Sequence, residues 1–187
     1  MLDVLAFNRQ IEIAPPGTTI TVPEGRYEID SAGGLRIAKK HGITVQAHGR
    51  VELVSFAPDG DIVIIEDSDD IVVRGFTIYH DVGELECSAS CIRIGESTSV
   101  RVERVDIHGS GAYGVGAWGH DNFGIEVVDS KIHDCTHWGL EIYSAGGLIR
   151  GNTMWNNGGP GGDRHIDIGD HEGIVIEDNV FLDRAPG

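Results

Sequence analysis

Residues 100–107 read VRVERVDI, with apolar side chains at Val100, Val102, Val105 and Ile107. The same 2-3-2 spacing occurs one unit earlier at Ile71, Val73, Phe76 and Ile78, and one unit later at Ile125, Val127, Ser130 and Ile132. It returns at Gly147, Ile149, Asn152 and Met154, and again at Ile174, Ile176, Asn179 and Phe181. The step between copies is 22–29 residues, and self-similarity at such a period is the signature of a stacked repeat architecture. Within each copy the apolar positions alternate, which is the period of a strand rather than of a helix. Val, Ile and Phe favour pleated surfaces, and Gly, Asn, Asp and Ser separate the units as turn residues do.

Each unit carries an earlier short strand as well. Its paired apolar positions are Leu35 and Ile37, Ile62 and Ile64, Ile92 and Ile94, Val115 and Ala117, Leu140 and Ile142, and Ile166 and Ile168. Three short strands per coil, each stacked in parallel on its counterpart about 4.8 Å away, predict a prism-shaped solenoid. The segments GIEVVDSKI (124–132), GLIRGNTM (147–154) and GIVIEDNVF (173–181) resemble the coils of the right-handed parallel β-helix, or pectin-lyase-like, family. The resemblance implies an all-β, single-domain right-handed parallel β-helix of about seven coils. They would fill residues 11–187, and 1–10 would cap the open end. In that family a turn asparagine hydrogen-bonds along the stack, so Ser130, Asn152 and Asn179 are expected to be structural, because buried polar groups need partners.

The 187 residues carry 14 Lys and Arg against 30 Asp and Glu, a formal net charge of −16. Nucleic acid and anionic membrane both require a basic face, so neither is an expected partner. A polyanionic substrate is disfavoured too, unless a local basic patch or a bound cation offsets the field. No apolar run is long enough to span a membrane. The start MLDVLAFNRQ lacks a charged segment followed by an apolar stretch, so no leader is expected in it. That is consistent with a cytoplasmic protein and equally with a mature secreted one, and the family resemblance favours an extracellular or periplasmic setting. Cys87 and Cys91 are close enough to pair and would leave Cys135 free; three reduced thiols are equally consistent. Association between copies is expected, if anywhere, through the coil ends, where strand edges are otherwise open.

Alternate residues of each strand face outward, and like positions on successive coils form columns. The outward column of the first strand holds Arg93, then Gly116 and Trp118, then Glu141 and Tyr143, then His165 and Asp167. Sugar rings stack on Trp and Tyr, so Trp118, Tyr143, Arg93 and the nearby His120 are candidate substrate-binding residues for a polysaccharide or oligosaccharide. In the family the chain resembles, this face carries the polysaccharide groove. Glu141 and Asp167 occupy matching places on neighbouring coils. Two carboxylates so close disfavour double ionisation, which would leave one acid and one base or nucleophile, as glycoside hydrolysis uses. The alternative is a pair of solvated carboxylates that never meet.

Asp163-Arg164-His165 and Tyr113-Gly114 resemble segments of the alginate (mannuronan) C5-epimerases. Where that family has Asp-Pro-His, this chain has Gly116, Ala117 and Trp118. The resemblance therefore implies a sugar-binding face, with Arg164 as a carboxylate-binding and His165 as a proton-transfer candidate, and does not supply that family's acid and histidine. The glycine-rich loop 158–165 borders this face and lacks the Lys-Ser/Thr of a phosphate loop.

A second column holds Tyr79, His108, His133 and Trp155, with Asp106 and Lys131 on the same strands. His108, His133 and His137 could ligate zinc or copper, or His133 with Lys131 could serve β-elimination of a uronate. They could equally be ordinary surface residues. The acidic corner Glu66, Asp67, Asp69 and Asp70 could bind calcium or be a solvated turn. The three functional classes left standing are a carbohydrate-active protein, a non-catalytic β-helix module for binding or assembly, and a metal-binding solenoid.

Overall fold

The computed structural model describes residues 4–29, 33–83, 87–159, 162–182 and 185–186. The alternation seen in the sequence becomes a parallel β-solenoid of two sheets, one of eleven strands and one of six. Numbered in chain order, the smaller sheet comprises β2 (Leu35–Ala38), β4 (Val63–Glu66), β6 (Ile92–Gly95), β9 (Tyr113–Trp118), β12 (Trp138–Ile142) and β15 (Ile166–Asp167). The larger sheet begins with three long strands, β1 (Thr19–Ile29), β3 (His41–Ser55) and β5 (Asp69–His80). From there each coil contributes two shorter strands. These are β7 (Thr98–Glu103) with β8 (Asp106–His108), and β10 (Phe123–Val128) with β11 (Lys131–His133). The last two coils contribute β13 (Ala145–Arg150) with β14 (Thr153–Trp155), and β16 (Ile174–Glu177) with β17 (Val180–Leu182).

The larger sheet bends between its two strands because the corner residue is left-handed: Arg104, Asp129 and Asp178 have φ of 51°, 51° and 56°, and Gly151 has 68°. Asp and Asn tolerate this conformation better than other non-glycine residues. Counted on the larger sheet there are seven layers, but the smaller sheet has six strands, so the solenoid completes about six turns against the seven coils expected. The first layer, β1, has no partner in the smaller sheet because a helix, α1 (Val4–Ile13), stands in that place. Val4 and Ile11 are buried at the solenoid end, two helical turns apart on one face, so the leading segment caps the coil as a helix.

The register of the larger sheet matches the spacing read from the sequence, whereas in the smaller sheet Val63 and Ile65, not Ile62 and Ile64, stack with Leu35 and Ile37 and with Ile92 and Ile94, and Ile64 faces out beside Arg36 and Arg93. Ile71 pairs with Val100, Val102 with Val127, Val127 with Ile149 and Ile149 with Ile176. In the second arm Ile107 pairs with Ile132 and Ile132 with Met154. All of these are buried except Ile176, and each fully buried Ile or Val contributes about 1.5–3 kcal/mol. Ile176 and Phe181 lie on the last layer and are exposed, with no coil above them among the described residues. Residues 183, 184 and 187 of the tail lie outside the described residues, as do Pro160 and Gly161 of the glycine-rich loop. No helix among the described residues is long and apolar enough to cross a membrane.

The corners are held by side-chain ladders. The Asn152 Oδ1 accepts from the Ser130 N–H at 2.9 Å, and the Asn179 Oδ1 accepts from the Asn152 N–H at 3.0 Å. Asn152 Nδ2 donates to the Val127 carbonyl at 2.8 Å, and Asn179 Nδ2 to the Ile149 carbonyl at 2.8 Å. Two further ladders were not anticipated. Ser68 N–H donates to Ser97 Oγ and Ser97 N–H to Asn122 Oδ1 at one corner, and Cys135 N–H donates to Asn157 Oδ1 at another. All three cysteines are free thiols, and burial pushes the Cys135 thiol up to about 12.

Candidate functional site

The outward column of the smaller sheet forms as the alternation predicts. Arg93 lies beside Gly116, Gly116 beside Glu141 and Glu141 beside Asp167. Gly116 decides the local packing. A Cβ there would sit 2.4 Å from Trp118 Cη2, so the missing side chain is what lets the Trp118 indole fold back over the strand. From that position Trp118 Nε1 donates to Glu141 Oε2. Tyr143 O–H donates to Glu141 Oε1 at 3.3 Å. The Tyr113 ring meets the Trp118 ring edge-on at a centroid distance of 5.0 Å. Glu141 is therefore only 7% exposed although its side chain points out of the coil.

This is an aromatic cluster built around two carboxylates. Burial, then the charges of Glu141 and Asp167, push the Tyr143 phenol up to about 12. Burial and the Glu141 carboxylate raise Tyr113 in the same direction. Both hydroxyls thus stay protonated at neutral pH and act as donors. Asp167 is partly exposed, and its Oδ1 accepts the Gly169 N–H at 2.9 Å, which leaves the second oxygen outside that turn. His171 stacks on Tyr143 at 5.5 Å and His137 meets Tyr113 edge-on at 5.8 Å, which extends the aromatic surface to both sides.

Not every candidate joins this cluster. The Arg93 guanidinium lies two strands from Glu141 and is held by Asp61 at 2.8 Å and Glu66 at 2.6 Å. His120 is exposed and makes no ring contact or hydrogen bond among the described residues. His165 turns away from Glu141: its Nδ1 lies 3.2 Å from Asn157 Nδ2 and its ring stacks on Phe181 at 5.2 Å. Arg164 lies 5.7 Å over the Trp138 ring, at the border of the cluster. Tyr113, His137 and His171 were not singled out for this site from the sequence. Tyr113 shares the parity of the inward Val115, and only its position at the corner frees the ring to turn outward.

The second column also assembles. Tyr79, His108, His133 and Trp155 form one pile of rings, with successive centroid distances of 4.6, 5.0 and 4.0 Å and interplanar angles of 13°, 15° and 10°. The two histidine faces are covered by their neighbours, so a sugar ring could meet His108 and His133 only at their edges. His133 Nε2 contacts Asp106 at 3.1 Å and its Nδ1 contacts Asp134 at 2.6 Å, which occupies both nitrogens. His137 belongs to the Tyr113 cluster instead, so the three candidate ligands do not converge. Among the described residues no group of three His, Cys, Asp or Glu is arranged to hold a metal. In the acidic corner Glu66 is taken by Arg36 and Arg93, and Asp69 by His41 and Thr98.

The ring pile makes stability depend on pH. Burial alone would lower the His133 pKa, but the Asp106 and Asp134 carboxylates outweigh it and the net direction is up. A raised folded-state pKa gives stability that is complete below the unfolded value of about 6.5 and is lost as pH climbs through the folded value. His108 runs oppositely: burial and the neighbouring His133 lower it, so its contribution is lost on the acid side. As pH rises above 6.5 the unfolding midpoint is expected to fall on account of His133. The His133→Gln variant should lack that slope, and an unchanged slope in a thermal-melt series would refute the assignment.

Comparison with known proteins follows this geometry. Residues 61–187 match the family model described as "Right handed beta helix region". No curated protein matches the sequence. Among solved structures, the chain superposes on pectate lyase Pel9A with a TM-score of 0.69 and 18% identity, over 92% of this chain and 47% of that one. It superposes on an alginate lyase from Paenibacillus sp. str. FPU-7 with a TM-score of 0.50 and 14% identity, over 97% of this chain and 74% of that one. The chain thus spans about half the length of the pectate lyase, 47%.

Proposed function

Because the chain belongs to the right-handed β-helix family, we propose that it acts on a polysaccharide laid along the outer face of the six-stranded sheet. The observation that carries this is the Glu141–Asp167 pair on adjacent strands, enclosed by Trp118, Tyr143 and Tyr113. Aromatic rings offer apolar faces to sugar rings, and carboxylates accept sugar hydroxyls. Asp167, the more accessible carboxylate, takes the carbon-bound proton next to a sugar carboxylate as the neighbouring carbon–oxygen bond breaks and a carbon–carbon double bond forms. Glu141, held from both oxygens, fixes the Trp118 and Tyr143 side chains as the sugar platform, and solvent water returns a proton to the departing oxygen. Arg164 borders the site and can reach a sugar carboxylate. The similar solved structures are a pectate lyase and an alginate lyase, which agrees in substrate type with this proposal.

The second reading is a carbohydrate-binding module without turnover, and the near-complete burial of Glu141 favours it over a hydrolase that would need both carboxylates open. The test is a panel of neutral and acidic polysaccharides, measured for binding and for product release. Trp118→Ala is expected to weaken binding of the glycan found at least tenfold. Binding with no product from any glycan selects the module. Absence of binding across the panel, or full binding by Trp118→Ala, overturns the proposal.

A further inference from the structure

The chain is strongly acidic, with a net charge of −16, yet its basic residues gather at one place. A cavity of about 540 Å³ lies between α1 and β2, and Arg9, Arg36, Lys39 and Lys40 line it against the single acid Glu12. That volume lies in the range of small-molecule sites. Four of the 14 Lys and Arg of the chain therefore flank one cleft.

Their pairing differs from that of basic residues elsewhere in the solenoid. Arg74, Arg93 and Arg101 all bond carboxylates on neighbouring coils. Around the cavity, Arg36 is bound to Glu66 at 2.5 Å. Lys40 Nζ donates to the carbonyls of Glu12 at 2.6 Å and Ala14 at 3.3 Å, which satisfies its hydrogen bonds at the end of α1 but leaves its charge without a counter-ion. The side chains of Arg9 and Lys39 have no hydrogen bond or ion pair among the described residues. Lys39 also breaks a column. Successive coils place Asp67 and Glu96 at its corner, all three with left-handed φ of 56°, 48° and 47°. The coil beside the cavity has a lysine where the next two have an acid. The wall between these cations is apolar, from Leu5 on the helix and Ala38 on the strand.

We propose that the cavity between α1 and β2 binds a small organic acid, its carboxylate between Arg9 and Lys39 and its apolar body against Leu5 and Ala38. Arg9 and Lys39 are exposed, so their side chains can swing to meet an anion that the local positive charge attracts, and the apolar wall favours a hydrocarbon body over a fully hydroxylated one. The site lies at the capped end and does not depend on the Glu141–Asp167 proposal.

The test is an amide NMR titration of the whole chain with hexanoate, acetate, hexan-1-ol and glucuronate. Hexanoate is expected to shift resonances of residues 8–12 and 36–40 and to bind at least tenfold more tightly than acetate or hexan-1-ol. The double variant Arg9→Gln, Lys39→Gln should lose at least tenfold in hexanoate affinity. Its thermal midpoint should stay put, since neither side chain holds a partner in the fold. Glucuronate binding at these residues as tightly as hexanoate would overturn the apolar body and point to the uronate of a glycan. Shifts confined to the last coil, around Ile176 and Phe181, or full affinity in the double variant, would overturn the site itself.

Discussion

The Asn152→Ala variant is expected to unfold about 6–12 °C below the parent chain. Asn152 is fully buried and its amide joins three coils. It accepts from the Ser130 N–H, donates to the Val127 carbonyl, and meets Asn179 Oδ1 at 3.0 Å. Alanine leaves the Ser130 N–H and the Val127 carbonyl buried without these partners. Each such group costs about 1–3 kcal/mol, so a loss of about 3 kcal/mol is expected, at roughly 2–4 °C per kcal/mol for a chain of this size. Serine should restore part of it. One coil earlier the same corner is occupied by Ser130, whose hydroxyl accepts the Val105 N–H at 3.2 Å. A thermal melt of the three proteins checks this. An alanine variant as stable as the parent would mean that the ladder does not hold the coils together.

The second large effect is on chemistry. Asp167→Asn is expected to lower turnover of the responsive polysaccharide about 100-fold or more, the size of a general-base contribution, while binding changes less than threefold. The amide keeps the shape of the side chain and can still accept the Gly169 N–H, so the turn made by Asp167 Oδ1 survives. Glu141→Gln should behave differently. Glu141 accepts from Trp118 and Tyr143, so its amide disturbs the aromatic platform and should weaken binding as well as turnover. Equal loss of binding in both variants, measured by single-turnover kinetics beside equilibrium binding, would refute the division of roles.

Much of the solenoid could be read from the chain because the strand period and the coil period are both written in apolar residues. Ile107, Ile132 and Met154 stack as their spacing requires, and so do the outward residues Gly116, Glu141 and Asp167. Parity says which way a side chain leaves the strand but not how far it leans. It placed Glu141 on the outer face, whereas the vacancy at Gly116 lets Trp118 cover it. Parity also fails at corners: Tyr113 turns out, and His165 turns toward Asn157 and Phe181. The cap helix occurs once, so no repeat exposes it; its signal was the spacing of Val4 and Ile11 alone. The cationic cavity was invisible for the same reason, because one of its walls is that helix.

On the proposed function, coil stacking turns Trp118, Tyr143 and Asp167 into one glycan-binding surface. A crystal structure with an oligosaccharide of the responsive glycan tests it most directly. Sugar rings are expected to pack on Trp118 and Tyr143 with a carbon-bound proton within reach of Asp167. Sugar density along the Tyr79–Trp155 ring pile, with the Trp118 face bare, would contradict it.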